Sequence, residues 1–352
     1  MKSLYIHIPF CAQKCWYCDF NSYSGKEKLI DDYMIALKKE IQSYSLHSLK
    51  TIYFGGGTPS FVDAKYIEEM LQLCDFAETE VTLEVNPGTA TKEKLEAYLK
   101  AGVNRLSIGL QATQNRILKE IGRIHTLEEF ERTYKLAREV GFQNVNVDLM
   151  FGLPDQTLKD VKESVAYLLT LKPEHVSCYS LILHGETDKK MPSEEAEREM
   201  YHYIVNRLKE AGYIHYEISN FAKPGYESRH NLAYWNQEEY VGVGAGASSY
   251  VNGTRYTNVR NLEAYIGGAK PEIEEVQNAE DRLREYMILR LRLLEGVDIA
   301  TANEKFGINV EEKFDKAIEK MKHYGLLEVT DGHMRLTEKG LDLANVVWEE
   351  FV

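Results

Sequence analysis

The chain has 352 residues, 44% of them apolar and 28% charged, and a net charge of −13 from 42 basic and 55 acidic side chains. That length suits about two domains, or one barrel with an appendage, and the apolar fraction excludes disorder as the overall state. The acidic balance argues against work on phosphate backbones or anionic lipid, so no nucleic-acid partner is expected.

No apolar run reaches the roughly 18 residues of a membrane span, and the first residues lack a signal-peptide pattern. A cytoplasmic location is expected, with at most peripheral membrane contact through a partner. Five cysteines are present, and three fall within eight residues: Cys11, Cys15 and Cys18. In a reducing compartment such clustering points to metal or redox chemistry before disulfides.

In chain order, apolar and β-branched runs predict strands at 4–8, 51–54, 82–85, 105–109, 145–149 and 176–183. Amphipathic stretches between them predict helices at 29–44, 65–76, 92–101, 127–140 and 158–171. Gly102, Gly141 and the pair Leu153-Pro154 punctuate the units. Six successive strand–helix units require parallel pairing with crossover helices. Six are too few for a complete eight-stranded barrel, so an open doubly wound sheet and a partial barrel both fit the spacing.

From about Pro192 the rhythm changes. A helix is expected at 193–211 and a short strand at 213–218, then loops rich in Gly, Asn and Tyr to about Gly268. Helices follow at 281–294, 301–306 and 310–323, two short strands at 327–329 and 334–336, and a last helix at 337–351. Three helices with a small hairpin form a winged-helix pattern. Residues 271–352 carry 19 acidic and 11 basic side chains, net −8, so a packing module or a lid is expected there rather than a DNA reader. The expected division is a barrel at 1–190, an extension at 191–268 and a winged-helix-like module at 269–352.

The cysteine loop reads CAQKCWYC directly after the first strand. Thiolates are the metal-binding form, and three on one loop make only part of a closed site. Structural zinc needs a fourth ligand, here His7 or a distant residue such as His125. An iron–sulfur cluster held by three cysteines instead leaves one iron open. C-x3-C-x2-C with an aromatic before the last cysteine strongly resembles the radical S-adenosylmethionine (SAM) superfamily. The resemblance implies a partial (β/α)6 barrel, a [4Fe-4S] cluster on Cys11, Cys15 and Cys18, and SAM on the open iron.

In a βα barrel the working residues sit at the C-terminal strand ends. Gly55-Gly56-Gly57-Thr58-Pro59 follows the second strand, where glycines let a ligand approach the backbone. Glu84 ends the third strand, Gln111 and then Arg123 follow the fourth, and Asp148 lies on the fifth. Carboxylates there could accept from an amine or ribose, and Arg123 could pair with a carboxylate. The set is similar to that of the oxygen-independent coproporphyrinogen III oxidase group. That likeness implies that Tyr5, Gly56, Gly57, Thr58, Glu84, Gln111, Arg123 and Asp148 line the SAM site. The run 241–248 resembles the same group's closing glycine segment more loosely. Cys74 and Cys178 are expected in the core.

Within the group, the oxidase has a fourth cysteine two places after the third, where this chain has Phe20. It also has a longer N-terminal segment. Arg229-His230-Asn231-Leu232-Ala233-Tyr234-Trp235 matches the HNxxYW motif of the HemW-type haem chaperones. On a helix His230 and Tyr234 would share a face. Imidazole and tyrosinate both serve as haem ligands, and Trp235 offers a surface for stacking. The resemblance implies a haem chaperone that binds haem beside the cluster and SAM and passes haem to an acceptor, such as a respiratory haem protein. A radical enzyme decarboxylating coproporphyrinogen III is the alternative, and either would need an electron donor if SAM is cleaved.

Overall fold

The computed structural model describes residues 2–182 and 188–352. Strands β1 (Ser3–Ile8), β2 (Thr51–Gly56), β3 (Glu80–Val85), β4 (Arg105–Gln111), β5 (Asn144–Phe151) and β6 (His175–Ser180) match the six predicted runs. The predicted end of the sixth, Leu183, lies outside the described residues. Helices α1 (Ile30–Ser43), α2 (Ala64–Leu71), α3 (Lys92–Ala101), α4 (Asn115–Glu120), α5 (Leu127–Val140) and α6 (Leu158–Leu171) separate the strands. Threonine capping boxes start α5 and α6, Thr126 with Glu129 and Thr157 with Asp160.

The strands β1 to β6 pair in parallel and in sequence order. Right-handed crossovers between sequential neighbours put the helices on one face of the sheet. A doubly wound sheet needs a reversal of strand order; none occurs between β1 and β6, so the fold is the partial barrel. The two faces follow the period of two along each strand. Leu106, Ile108, Leu110, Val145, Val147 and Leu149 point outward into the barrel core beneath the helices. Their alternates face inward and are largely polar.

The stretch after the barrel holds α7 (Glu194–Glu210), β7 (Ile214–Glu217), β8 (Asn220–Ala222), α8 (Arg229–Trp235), β9 (Tyr240–Val243), β10 (Ser248–Val251), β11 (Thr254–Thr257), α9 (Leu262–Ile266) and β12 (Glu272–Val276). The expected loops are thus mostly short strands. Runs of three to five residues show too few alternations to register as periodic. They extend the barrel sheet at both ends, β8 antiparallel to β6 and β9 parallel to β1. The strand β12 pairs with β11, so the C-terminal module starts after it rather than at residue 269.

That module comprises α10 (Ala279–Arg290), β13 (Val297–Asp298), α11 (Ile299–Phe306), α12 (Val310–Lys313), α13 (Asp315–His323), β14 (Leu327–Thr330), β15 (His333–Leu336), α14 (Glu338–Asp342) and α15 (Ala344–Glu349). It has its own core, including Met287, Val310, Met321, Met334 and Phe351, and a three-stranded sheet. The helices predicted at 310–323 and 337–351 are each broken once, at Phe314 and Leu343. Phe314 leaves helical geometry to pack its ring on Phe351 at 5.2 Å. Among the described residues no helix is long and apolar enough to cross a membrane.

Candidate functional site

The cysteine loop leaves β1 and folds back on itself. Cys11 N–H donates to the Tyr23 carbonyl at 2.9 Å, Tyr23 N–H to the Pro9 carbonyl at 2.7 Å, and Cys18 N–H to the Cys15 carbonyl at 3.1 Å. Thr58 Oγ1 donates to Cys11 Sγ at 3.4 Å, and Cys15 Sγ to the Gly122 carbonyl at 3.6 Å. Burial pushes the Cys11 thiol up, and the Thr58 hydrogen bond opposes it. All three thiols line one cavity of about 500 Å³ inside the barrel.

Among the described residues no three His, Cys, Asp or Glu groups converge as one metal ion requires. A cluster, with its separate irons, takes thiolates spaced more widely than a single ion does. His7, a candidate fourth zinc ligand, has both ring nitrogens engaged, Nδ1 with Tyr5 Oη at 3.0 Å and Nε2 with the Asn21 carbonyl at 2.8 Å. The other candidate, His125, lies with Cys15 against a separate small cleft.

Gly56, Gly57, Thr58, Glu84, Gln111, Arg123 and Asp148 line the same cavity as the thiols. Gly57 is required there, because a Cβ would lie 2.8–2.9 Å from the Pro9–Phe10 backbone. Its absence lets the turn after β2 press against the cysteine loop. Glu84 accepts from Tyr53 Oη at 2.9 Å and from Gly56 N–H at 3.3 Å. Burial nonetheless raises its carboxyl to about 7. Burial also raises Asp148, which accepts from Asn146 Nδ2 at 2.7 Å and Ser107 Oγ at 3.2 Å.

Arg123 Nη2 donates to Asn86 Oδ1 at 2.7 Å, and Asn86 Nδ2 to Thr58 Oγ1 at 2.7 Å, which ties the β2, β3 and β4 ends together. Gln111 closes β4 at φ +60°, and its buried Oε1 has no hydrogen-bond partner. A buried acceptor left unpaired in a cavity wall is a place for a ligand donor.

Three expected site residues stand elsewhere. Tyr5 lines a second cavity of about 270 Å³, with Asn21 and Tyr234, that shares Asp19 and Phe20 with the main one, and its ring stacks on Tyr53. His230 and Tyr234 do share a face of α8, but they bond to each other, Nε2 to Oη at 2.8 Å. His230 Nδ1 pairs with Thr51 Oγ1 on β2 at 2.8 Å. The imidazole is 1% exposed, and both of its nitrogens are engaged by protein hydroxyls in this structure. Burial drives its pKa down to about 3. One face of Trp235 is covered by the Arg292 guanidinium, 4.3 Å over it.

The helix α8 is instead a joint. Its first N–H groups, of Arg229 and His230, donate to the Glu80 carboxylate, both at 3.1 Å. Beyond its last turn Asn236 accepts from Arg290, and Gln237 Nε2 donates to the Arg282 carbonyl at 2.8 Å. One end thus grips the base of the barrel and the other the C-terminal module.

The inward polar set of the barrel, including Tyr53, Arg105, Ser107, Asn146 and Ser177, lines the main cavity and was not singled out from the sequence. The signal was present: Arg105, Ser107 and Gln111 alternate with Leu106, Ile108 and Leu110, a two-faced strand. Cys178 is buried in the barrel core and Cys74 packs against it.

Two family descriptions match the chain, the radical SAM superfamily over residues 5–168 and the HemN C-terminal domain over 277–343. The heme chaperone HemW of Lactococcus lactis subsp. lactis is 39% identical, the alignment covering 100% of this chain and 97% of the relative. The HemW proteins of Bacillus subtilis and Escherichia coli are 38% and 35% identical, covering 100% and 99% of this chain and 99% and 98% of theirs. Among solved structures, coproporphyrinogen III oxidase from Escherichia coli superposes with a TM-score of 0.88. It covers 99% of this chain and 89% of its own, at 23% identity, a likeness of fold. With 39% identity over essentially the whole of both chains, and both domains matched in order, the chain belongs to the HemW family of the radical SAM superfamily.

Proposed function

We propose that this chain is a haem chaperone that holds a [4Fe-4S] cluster on Cys11, Cys15 and Cys18, binds SAM beside it, and passes haem to an acceptor haem protein. The observation that carries the reading is the convergence of three thiols and four polar strand ends on one cavity in a chain of the HemW family. The residues fit the groups: the three thiols line one cavity, and Gln111 Oε1 waits unpaired in its wall. When bound, the cluster supplies an open iron for the amino and carboxylate groups of SAM, and an electron for opening the sulfonium.

The chain's own groups do the binding. Arg123 is the cation for a carboxylate, and Glu84 and Asp148 are acceptors for ammonium or ribose hydroxyls. Two apolar side chains of the cavity lining are largely exposed, Phe20 at 66% and Ile182 at 69%. Exposed apolar side chains grouped at one opening mark a binding surface, here one suited to a flat macrocycle.

Glu84 gives a pH test of the SAM site. Its carboxyl is neutral below about 7, and only the ionised form pairs with an ammonium. SAM affinity, read by equilibrium dialysis on anaerobic protein, is expected to rise as the pH passes 7, and Glu84→Gln is expected to flatten the rise. The same ionisation costs stability. The folded value lies above the unfolded one, so folded protein holds the extra proton and stability falls as pH rises from 4.5 to about 7.

Anaerobic incubation with coproporphyrinogen III, SAM and a reductant separates chaperone from enzyme. No decarboxylated porphyrinogen is expected, and its formation at catalytic turnover would replace the chaperone reading by the oxidase one.

A further inference from the structure

We propose that Arg105 forms an inner anion subsite of the barrel and binds a carboxylate of the cargo, a propionate where the cargo is haem. The inference rests on the haem reading and adds to it the residue that recognises the acid group.

Arg105 is the first residue of β4 and only 2% exposed. Its side chain makes no hydrogen bond or ion pair among the described residues, and its buried Nε has no partner. Burying a guanidinium in this state is costly, and folded proteins pair such charges. The side chain lines the main cavity, with its Nε buried in the wall. The carboxylates that act on it lie beyond ion-pair distance and have other partners. Glu84 is held by Tyr53 and Gly56, and Asp148 by Asn146 and Ser107. Burial keeps Glu84 protonated to about 7 and raises Asp148 as well, which weakens the charge that offsets the guanidinium.

Two arginines therefore serve two acids. Arg123 sits at the rim, bonded to Asn86 and beside the cysteine loop. Gln111, which marks the rim end of β4, is six residues from Arg105, about 20 Å of extended strand. A carboxylate held at the rim does not also reach the base of β4. Ser107, Asn146 and Asn231 line the same cavity and are neutral; Ser107 and Asn146 already donate to Asp148, so Arg105 is the group left to meet an incoming carboxylate. A planar guanidinium suits it in two-pronged geometry.

The test uses reconstituted full-length protein and three probes: haem, haem dimethyl ester and SAM. Arg105→Gln is expected to weaken haem about ten- to a hundredfold while SAM affinity stays unchanged. The dimethyl ester is expected to bind wild type with the same loss and to be indifferent to the substitution. Arg105→Lys, which keeps the charge, is expected to recover part of the affinity. Unchanged haem affinity in Arg105→Gln would overturn the proposal, as would a loss confined to SAM. If Arg105→Gln does not fold, wild type decides: equal affinity for haem and its ester overturns the subsite. Absence of haem binding in wild type is a different result, and it removes the chaperone reading together with the subsite.

Discussion

Alanine at any one of Cys11, Cys15 or Cys18 is expected to abolish the proposed iron–sulfur cluster, seen as loss of iron, acid-labile sulfide and the broad visible absorbance of such clusters. Each thiol has its own anchor in the fold, Thr58 for Cys11, Gly122 for Cys15 and Ser22 for Cys18. The anchors hold three different directions, and no fourth cysteine is near to substitute. Cys74 and Cys178 are the internal control, since both pack against the barrel core away from the cavity. Alanine there is expected to leave the cluster intact and to cost about 1 kcal/mol of stability in lost packing. A full iron and sulfide complement in a Cys11, Cys15 or Cys18 variant would overturn the ligand assignment.

His230→Ala has the second largest expected effect, and it falls on stability rather than on ligation. The imidazole joins Thr51 of β2 to Tyr234 of α8 and stacks on Tyr53 with ring centres 5.1 Å apart. Removing it leaves two buried hydroxyls short of partners and a hole at the base of the barrel, a loss of about 2–4 kcal/mol. A lower melting temperature is expected, with unchanged haem stoichiometry in the protein that remains folded. A variant that melts like wild type but no longer binds haem would return the imidazole to the role of ligand. The buried histidine also fixes a sign. Its folded pKa of about 3 lies below the unfolded 6.5, so the unfolded chain binds the extra proton. Its contribution is complete above 6.5 and declines as pH falls toward 3.

The parallel barrel was legible because its strands are apolar runs separated by long amphipathic helices, each with enough residues to show its period. The helices at 92–101, 127–140 and 158–171 have the predicted ends because glycine at Gly102 and Gly141 and threonine caps stop and start them. Strands β8 to β12 were not legible, since three to five residues rich in Gly, Tyr and Glu read equally as loop.

In the site, the cysteine spacing and the strand-end groups located the cavity. The HNxxYW motif left the surroundings of His230 unread, because spacing shows which residues share a helical face and not what that face meets. Here it meets β2 and the base of the barrel, and only Asn231 of the motif lines the main cavity. Arg105 escaped notice because one arginine at the start of an apolar strand reads as a surface end. Its burial becomes visible only once β3 and β5 flank it.

The central claim is that the chain binds haem at one site while holding its cluster. Anaerobically purified, cluster-reconstituted protein titrated with haem and followed by absorbance tests it most directly. The account predicts saturation at one haem per chain with the cluster signal retained. Weak binding that does not saturate would contradict it, and would leave a cluster and SAM site without a haem cargo.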